Sequence, residues 1–373
     1  MKNIKTDILI IGGGIAGCIA AISLVDTYNV VLIDKLNEPN ERIGESLAPA
    51  AQRVLKQLDL IQGMDDVIFH DEPLYFKSMG IKSYWGSEQL HIVDHLSNPD
   101  GSGFNLNRKA FEVYLRAAAI KRGVECIWPA KLDSHAYEDL HWHIIAKDDK
   151  RKTYNISAQF VIDATGRQSH FVRKLGIKRH YIDKLMACWI TMPDHQQNKM
   201  SVISACENGW WYSAVVPNNK RVLAFHTDSD LMDRNTIQSN DSFVALAQSN
   251  QVISAILEKS GNDIELQGIV AANSSCSQQV TGQQWAALGD AAISFDPLSS
   301  QGMFNAMASA LQLKSLIRQF DIVDKLDKKK MQQFETAYTQ QINHIWLHYL
   351  NHKSIFYQQE MRWKSSLFWK RRH

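Results

Sequence analysis

The chain of 373 residues carries 41 lysines and arginines against 39 acids, a formal net charge of +2 at neutral pH. That balance gives no general attraction to nucleic acid, and the length allows a large core in one or two lobes. Five cysteines, Cys18, Cys126, Cys188, Cys206 and Cys276, are scattered with no C-x-x-C pair, which predicts reduced thiols in a cytoplasmic protein rather than a disulfide framework or a zinc site. No basic, apolar and small-residue leader precedes the first strand-like residues, so no targeting peptide is expected.

Residues 7–35, DILIIGGGIAGCIAAISLVDTYNVVLIDK, predict a strand, a glycine turn, a helix from Ile15 and a second strand. Gly12, Gly14 and Gly17 form G-x-G-x-x-G, with Ala16 inside it and Asp34 and Lys35 closing the second strand. The glycines serve different physical needs: Gly12 permits a tight turn, Gly14 lets backbone approach a pyrophosphate, and Gly17 lets helix pack closely on strand. The positive helix end faces the phosphates, and Asp34 would accept hydrogen bonds from a ribose. This motif alone does not separate NAD from FAD. The run is apolar enough to suggest a membrane span, but its successive glycines fit strand, turn and helix better, so no transmembrane segment is predicted.

Further along, NERIGESLAPAAQRVLKQLDL places Arg42, then Gly44-Glu45-Ser46, before a proline-opened amphipathic helix with Leu55, Leu58 and Leu60 on its apolar side. Glu45 and Ser46 read equally as helix caps or as ligand contacts. YFKSMGIKSYWGSEQLH carries Lys82, either a donor in a site or a solvated strand lysine. Arg108 opens a helix in NLNRKAFEVYLRAAAIKRG, and FVIDATGRQS is an apolar strand ending at Asp163 and turning at Gly166. In ENGWWYSAVVP, Trp211 should face away from Trp210 and Tyr212, so that one strand face could line a cavity while the other fills the core.

ALGDAAISFDPLSSQGM, residues 287–303, turns on Gly289-Asp290, meets Asp296-Pro297 and launches a helix over Phe304–Ile317. Acids and glycines at such a corner either cap a helix or hold something. The C-terminal IWLHYLNHKSIFYQQEMRWKSSLFWKRRH interleaves aromatic and basic residues; it could dock a partner or pack on its own domain with its charged heads in water. The fourteen histidines are dispersed, and no metal site is predicted.

Taken together, G-x-G-x-x-G, G-E-S-L-x-P, the R-x-x-F-x-x-x-L pattern from Arg108, D-A-T-G, Gly289-Asp290 and DPLSSQGM resemble FAD-dependent monooxygenases of the tryptophan halogenase and hydroxylase superfamily, from residue 6 to about residue 320. Within it the chain is similar to the LodB-like and GoxB-like flavoproteins of cysteine tryptophylquinone biogenesis. The resemblance implies FAD held by Gly12, Gly14, Ala16, Gly17, Asp34, Lys35, Arg42, Glu45, Ser46, Arg108, Asp163, Gly166, Gly289 and Asp290, the last on the ribityl chain. Pro297 would lie beside the reactive face, and the amides of Gln301, Gly302 and Met303 would favour negative charge on a reduced flavin. Lys82, Trp210, Tyr212 and Pro297 are the catalytic candidates.

The activity so implied is hydroxylation of a tryptophan side chain in the precursor of a partner amino-acid oxidase of the glycine-oxidase type. O2 and reduced FAD would form a C4a-hydroperoxide kept from water. With no second G-x-G-x-x-G, the reductant is left open. The halogenase pattern W-x-W-x-I-P is absent, and Lys82 falls one residue later than the F-K-A-A-I-K motif would put it. A small-molecule aromatic or indole hydroxylase, or a flavin-stabilised assembly factor, are the alternatives.

The implied fold is α/β with an α+β substrate lobe. A Rossmann-type FAD-binding domain (1–65, 103–172 and 280–325) would be interleaved with an antiparallel-sheet substrate domain (66–102 and 173–279), as in p-hydroxybenzoate-hydroxylase-like flavoproteins. A helical segment, 326–373, would close the chain.

Overall fold

A computed structural model of the chain describes residues 2–69, 72–95, 98–194, 199–233, 239–261, 263–323 and 327–373; the expected boundary at 325 lies outside them. The first sheet runs Glu125–Ile127, Val30–Ile33, Lys2–Ile11, Thr153–Asp163 in parallel, then His141–Lys147 and Lys131–Glu138 antiparallel. Trp285–Ala287 joins in parallel beside the end of Thr153–Asp163. Val30–Ile33 is buried throughout, which is why it reads as an unbroken apolar run: helices cover both faces of a parallel sheet.

The second sheet has seven strands, in the order Glu265–Ala271, Leu185–Pro193, Lys220–Asp228, Gly209–Val216, Ser201–Cys206, Gly80–Tyr84 and His91–Asp94. Its pairing is antiparallel except where Gly80–Tyr84 meets Ser201–Cys206 in parallel, a join that needs a long crossover. A small ribbon, Ser46–Leu47, Gly103–Leu106 and Tyr75–Ser78, lies between the sheets. Gly103–Leu106, expected with the dinucleotide lobe, therefore pairs outside the parallel sheet. Asn105 ties the ribbon to the second sheet by donating to the Val215 carbonyl at 3.0 Å.

The helix Lys328–Gln358 buries Phe334, Tyr338, Ile342, Trp346, Tyr349 and Tyr357, a stripe at steps of three, four and eight residues that fixes which face it packs. Asp327 caps it by accepting from the amides of Lys329 and Lys330. Beyond it the basic, aromatic tail packs on the second sheet. Phe368 and Trp369 are fully buried, Trp369 Nε1 donates to the Cys206 carbonyl at 2.9 Å, and Arg372 pairs with the buried Asp228 at 2.6 Å. Among the described residues no helix is long and apolar enough to cross a membrane.

Because Trp369 fills its site completely, Trp369→Ala should cost about 3–5 kcal/mol, lowering the urea midpoint with an unchanged m-value. A loss below about 1 kcal/mol would mean that the tail is not docked.

Candidate functional site

Backbone crowding builds the phosphate cradle. Gly12 has φ +113°, and a Cβ there would lie 2.4 Å from the Ala164 carbonyl oxygen. The approach is forced by sheet pairing, since the amide of Ala164 donates to Ile11 and that of Gly12 to Ile33, each at 2.8 Å. A Cβ on Gly17 would fall 1.8 Å from the Gly12 oxygen, so the Ile15–Leu24 helix can start where it does only with glycine at 17. Gly14 differs: a Cβ there meets nothing within 4 Å, and no side chain caps the helix that starts after it. Its free amides and open space suit a phosphate.

Asp34 accepts from the amides of Gly13 at 2.6 Å and Leu36 at 2.7 Å, and Arg116 lies 3.1 Å away. Arg116 also donates to the Gly13 carbonyl, clamping turn and carboxylate together. Lys35 reaches Gln168 at 3.0 Å. Arg42 and Arg108 both pair with the buried Glu112, and Arg108 donates to the Gly44 carbonyl at 2.8 Å. These bonds lash the 42–46 strap to the Arg108–Lys121 helix. Ser46 pairs with Asn105 in the ribbon.

Asp290 stands on a turn beside the helix start. Gly289 has φ +58°, and a Cβ there would meet Ala16 at 3.0 Å, so this turn is pressed against the start of the first helix. The Asp290 side chain is 37% exposed, with Arg167 at 3.6 Å. Asp296 caps the following turn by accepting from Leu298 at 2.9 Å, Pro297 is exposed, and the Gly302–Phe320 helix begins after Gln301 with no side-chain cap. Met303 is buried behind it.

Beside this turn lies a cavity of about 510 Å³ whose apolar wall includes Ile81, Trp85, Ile203, Leu298 and Phe356. Asp296, Tyr349, His352 and Lys353 also reach it. The last three and Phe356 come from the C-terminal helix, inside the aromatic and basic stretch that the sequence marks but not among the predicted site residues. Their spacing, 349, 352/353 and 356, is a helical stripe that could have marked them.

Several expected roles change. Lys82 does not face the cavity: Ile81 and Ser83 do, and strand alternation turns the residue between them to the other side. Trp210 and Trp211 do lie on opposite faces, in different core clusters. Trp210 does not line the cavity but braces it from behind. It is buried, stacked on His226 at 3.7 Å, and donates to the Tyr357 hydroxyl at 3.1 Å, which donates to Asp296 at 2.8 Å.

Tyr212 and Glu45 are likewise set back. Glu45 Oε2 accepts from the Gly44 amide at 2.9 Å, while Glu45 Oε1 and the Tyr212 hydroxyl are buried with no hydrogen-bond partner in good geometry. Burial pushes the Glu45 carboxyl above its ordinary range, against the opposing pull of Tyr212. Asp163 is spent internally. Fully buried, it accepts from the Thr165 amide and hydroxyl and from the Val172 amide, shaping the loop that turns at Gly166 (φ +67°).

Two outcomes follow. Gly14→Ala should leave the unfolding midpoint of the ligand-free protein essentially unchanged while FAD retention on purification is lost; FAD retention equal to wild type would refute the cradle. Burial holds the His226 imidazole down to about 3, so it is neutral when folded and takes a proton near pH 6.5 when unfolded. Stability is therefore complete above about pH 6.5 and should fall by up to about 1.4 kcal/mol per pH unit below it. Urea titrations of wild type and His226→Gln should diverge over that window.

FAD is the group these residues fit: an uncapped helix start over an open glycine, an acid at the second strand's end, a half-exposed Asp290 on a turn beside that helix start, and a second uncapped helix start at Gln301. The FAD binding domain family matches residues 5–343. LodB of Marinomonas mediterranea, which bears the name FAD-dependent oxidoreductase, is 29% identical over 98% of this chain and 96% of its own. A tryptophan 2-halogenase of Chondromyces crocatus is 25% identical over 84% of this chain and 62% of its own. In fold, the myxobacterial chondrochloren halogenase CndH superposes with a TM-score of 0.81 at 18% identity, over 99% of this chain and 86% of that one. The peptidyl tryptophan dihydroxylase QhpG, essential for tryptophylquinone cofactor biogenesis, superposes at 0.76 and 18% identity, over 99% and 78%. The cradle, the Asp290 turn and the family match over residues 5–343 together show that the chain belongs to the FAD binding domain family, as an FAD-dependent oxidoreductase similar to LodB and to tryptophan 2-halogenase.

Proposed function

We propose that the protein is a monooxygenase acting in the cytoplasm on a tryptophan side chain of a partner amino-acid oxidase precursor, of the glycine-oxidase type, during maturation of its cysteine tryptophylquinone. The observation that carries this reading is the cavity of about 510 Å³ against the Pro297–Gln301 turn, a volume within the usual range of roughly 300–1,000 Å³ for ligand pockets. At its mouth Val93 and Phe356, which line it, are half exposed, an apolar rim suited to a protein surface. The name of QhpG, a peptidyl tryptophan dihydroxylase, supports a substrate of this kind.

In this reading the amides after Gly14 hold the pyrophosphate, Asp34 the ribose and Asp290 the ribityl chain, with Arg42 and Arg108 keeping the strap closed. The amides at Gln301, Gly302 and Met303 favour negative charge beside the pyrimidine ring. When bound, the flavin supplies the redox chemistry that activates O2, with electrons from a reductant that docks transiently. The chain's own part is to exclude water with Ile81, Ile203 and Leu298, to seat the ring beside Pro297, and to keep the Asp296 turn rigid through Tyr357. The first sheet with the ribbon serves as the cofactor domain, the second as the substrate domain.

Peptide mapping of a glycine-oxidase-type partner tests this. The partner is produced with the protein, without it, and with Asp290→Ala. Oxygen added to one tryptophan only with the intact flavoprotein is the expected result. Identical maps in all three would overturn it in favour of a small-molecule aromatic hydroxylase.

A further inference from the structure

The cavity wall holds a charged cluster that the proposed reaction leaves unused. Lys353, only 11% exposed at its side chain, donates to the Asp183 carboxylate and, at 2.7 Å, to the Ser274 hydroxyl. Asp296 Oδ2 lies 3.7 Å away, beyond hydrogen-bond length. Asp296 is already engaged: Leu298 donates to its Oδ1 and the Tyr357 hydroxyl to its Oδ2. An ammonium carries three donors and no acceptor. Among the described residues two hydrogen-bond acceptors reach this one, and beyond them it has only the Tyr357 ring, 5.8 Å from Nζ, so one N–H has no oxygen acceptor at the wall of a cavity that Lys353 itself lines.

A partly buried donor in that state is held best by a group that accepts from it, and the surrounding wall of Ile81, Trp85, Ile203, Leu298 and Phe356 takes apolar, ring-shaped matter. The N–H of an unmodified indole is itself a donor, and its ring face offers an ammonium only a cation–π contact. An oxygen on the ring can.

We propose that Lys353 is a specificity-determining residue of this cavity, and that it selects aromatic rings already bearing a hydroxyl or carbonyl oxygen, to which its free N–H donates. The inference rests on the cavity being the substrate site of the monooxygenase. It deepens that reading: the ring held best is one that has already received an oxygen, so the site retains a singly oxygenated ring rather than releasing it. The upstream reaction class is then ring hydroxylation, by this site or another. Burial raises the Asp296 carboxyl toward its neutral form, with Lys353 opposing and Asp183 adding to the rise.

The test is calorimetric binding to the oxidised, FAD-loaded full chain of four probes: indole, a hydroxyindole, and a short peptide containing tryptophan or hydroxytryptophan. In wild type each oxygenated probe should bind about tenfold more tightly than its parent, the scale of one hydrogen bond to a charged group. In Lys353→Met the preference, read as the ratio within each pair, should fall below about twofold. Asp183→Asn with Lys353→Met keeps the charge balance should the single variant not fold, and should lose the preference equally. Lys353→Arg, which keeps donors and charge, should restore part of it. Preference only in the peptide pair would assign the oxygenated ring to a protein side chain, and preference only in the free pair to a small molecule; both support the selecting role of Lys353. Equal binding of parent and oxygenated probes by wild type, or a preference surviving in Lys353→Met, would overturn the inference and leave the monooxygenase reading standing. Failure of all four probes to bind wild type would overturn both.

Discussion

The crowding at Gly12 is the constraint on which the rest of the site depends. Two parallel strands end side by side there, their amides and carbonyls paired, and the first helix must begin within a few ångströms of both. Side chains at 12 or 17 would occupy space already filled by backbone. The helix start is thereby held against the strand ends with its amides free, which is the geometry that binds a dinucleotide phosphate. Gly289 repeats the device from the far side, setting the turn that carries Asp290 on Ala16.

Charge is handled by distance from this crowding. Arg116, Arg42 and Arg108 are all tied to carboxylates or carbonyls of the scaffold, so the cleft is shaped by arginines without presenting them as loose cations. Buried ion pairs of this kind are weak evidence for stability but good devices for fixing one geometry. Asp163 does for the 164–172 loop what Arg108 does for the strap: its charge is consumed in holding backbone.

How much of this is legible in the sequence depends on how local the information is. The glycines at 12, 14 and 17 and the acid at 34 can be read because each answers to a backbone requirement within one strand–helix unit. Lys82 cannot, because a single residue of register decides which face of a strand a side chain takes, and the pairing with Ser201–Cys206 joins segments far apart in the chain. The stack of Trp210 on His226 lies nearer to reach: Asn218 and Asn219, both at positive φ, belong to the three-residue connection, 217–219, that sets these residues opposite each other. For Lys353 and Tyr349 helical spacing can mark a stripe, but nothing in the helix names the Asp296 turn as what they or Tyr357 would touch. Glu45 and Tyr212 show the same limit: two plausible contact residues come together with each other, buried, through a meeting of strap and sheet that only tertiary structure specifies.

The long C-terminal helix touches both halves of the molecule. Tyr338 donates to the Ala287 carbonyl at the end of the parallel sheet, at 2.6 Å, and about five turns later Tyr357 sits between Asp296 and Trp210 of the second sheet. One rigid rod thus spans the seam that a boundary drawn between lobes would follow. The two sheets are therefore not separable modules: a gene fragment encoding either one alone would lack the strut that covers its apolar face, and the intact chain should melt as one cooperative unit rather than lobe by lobe.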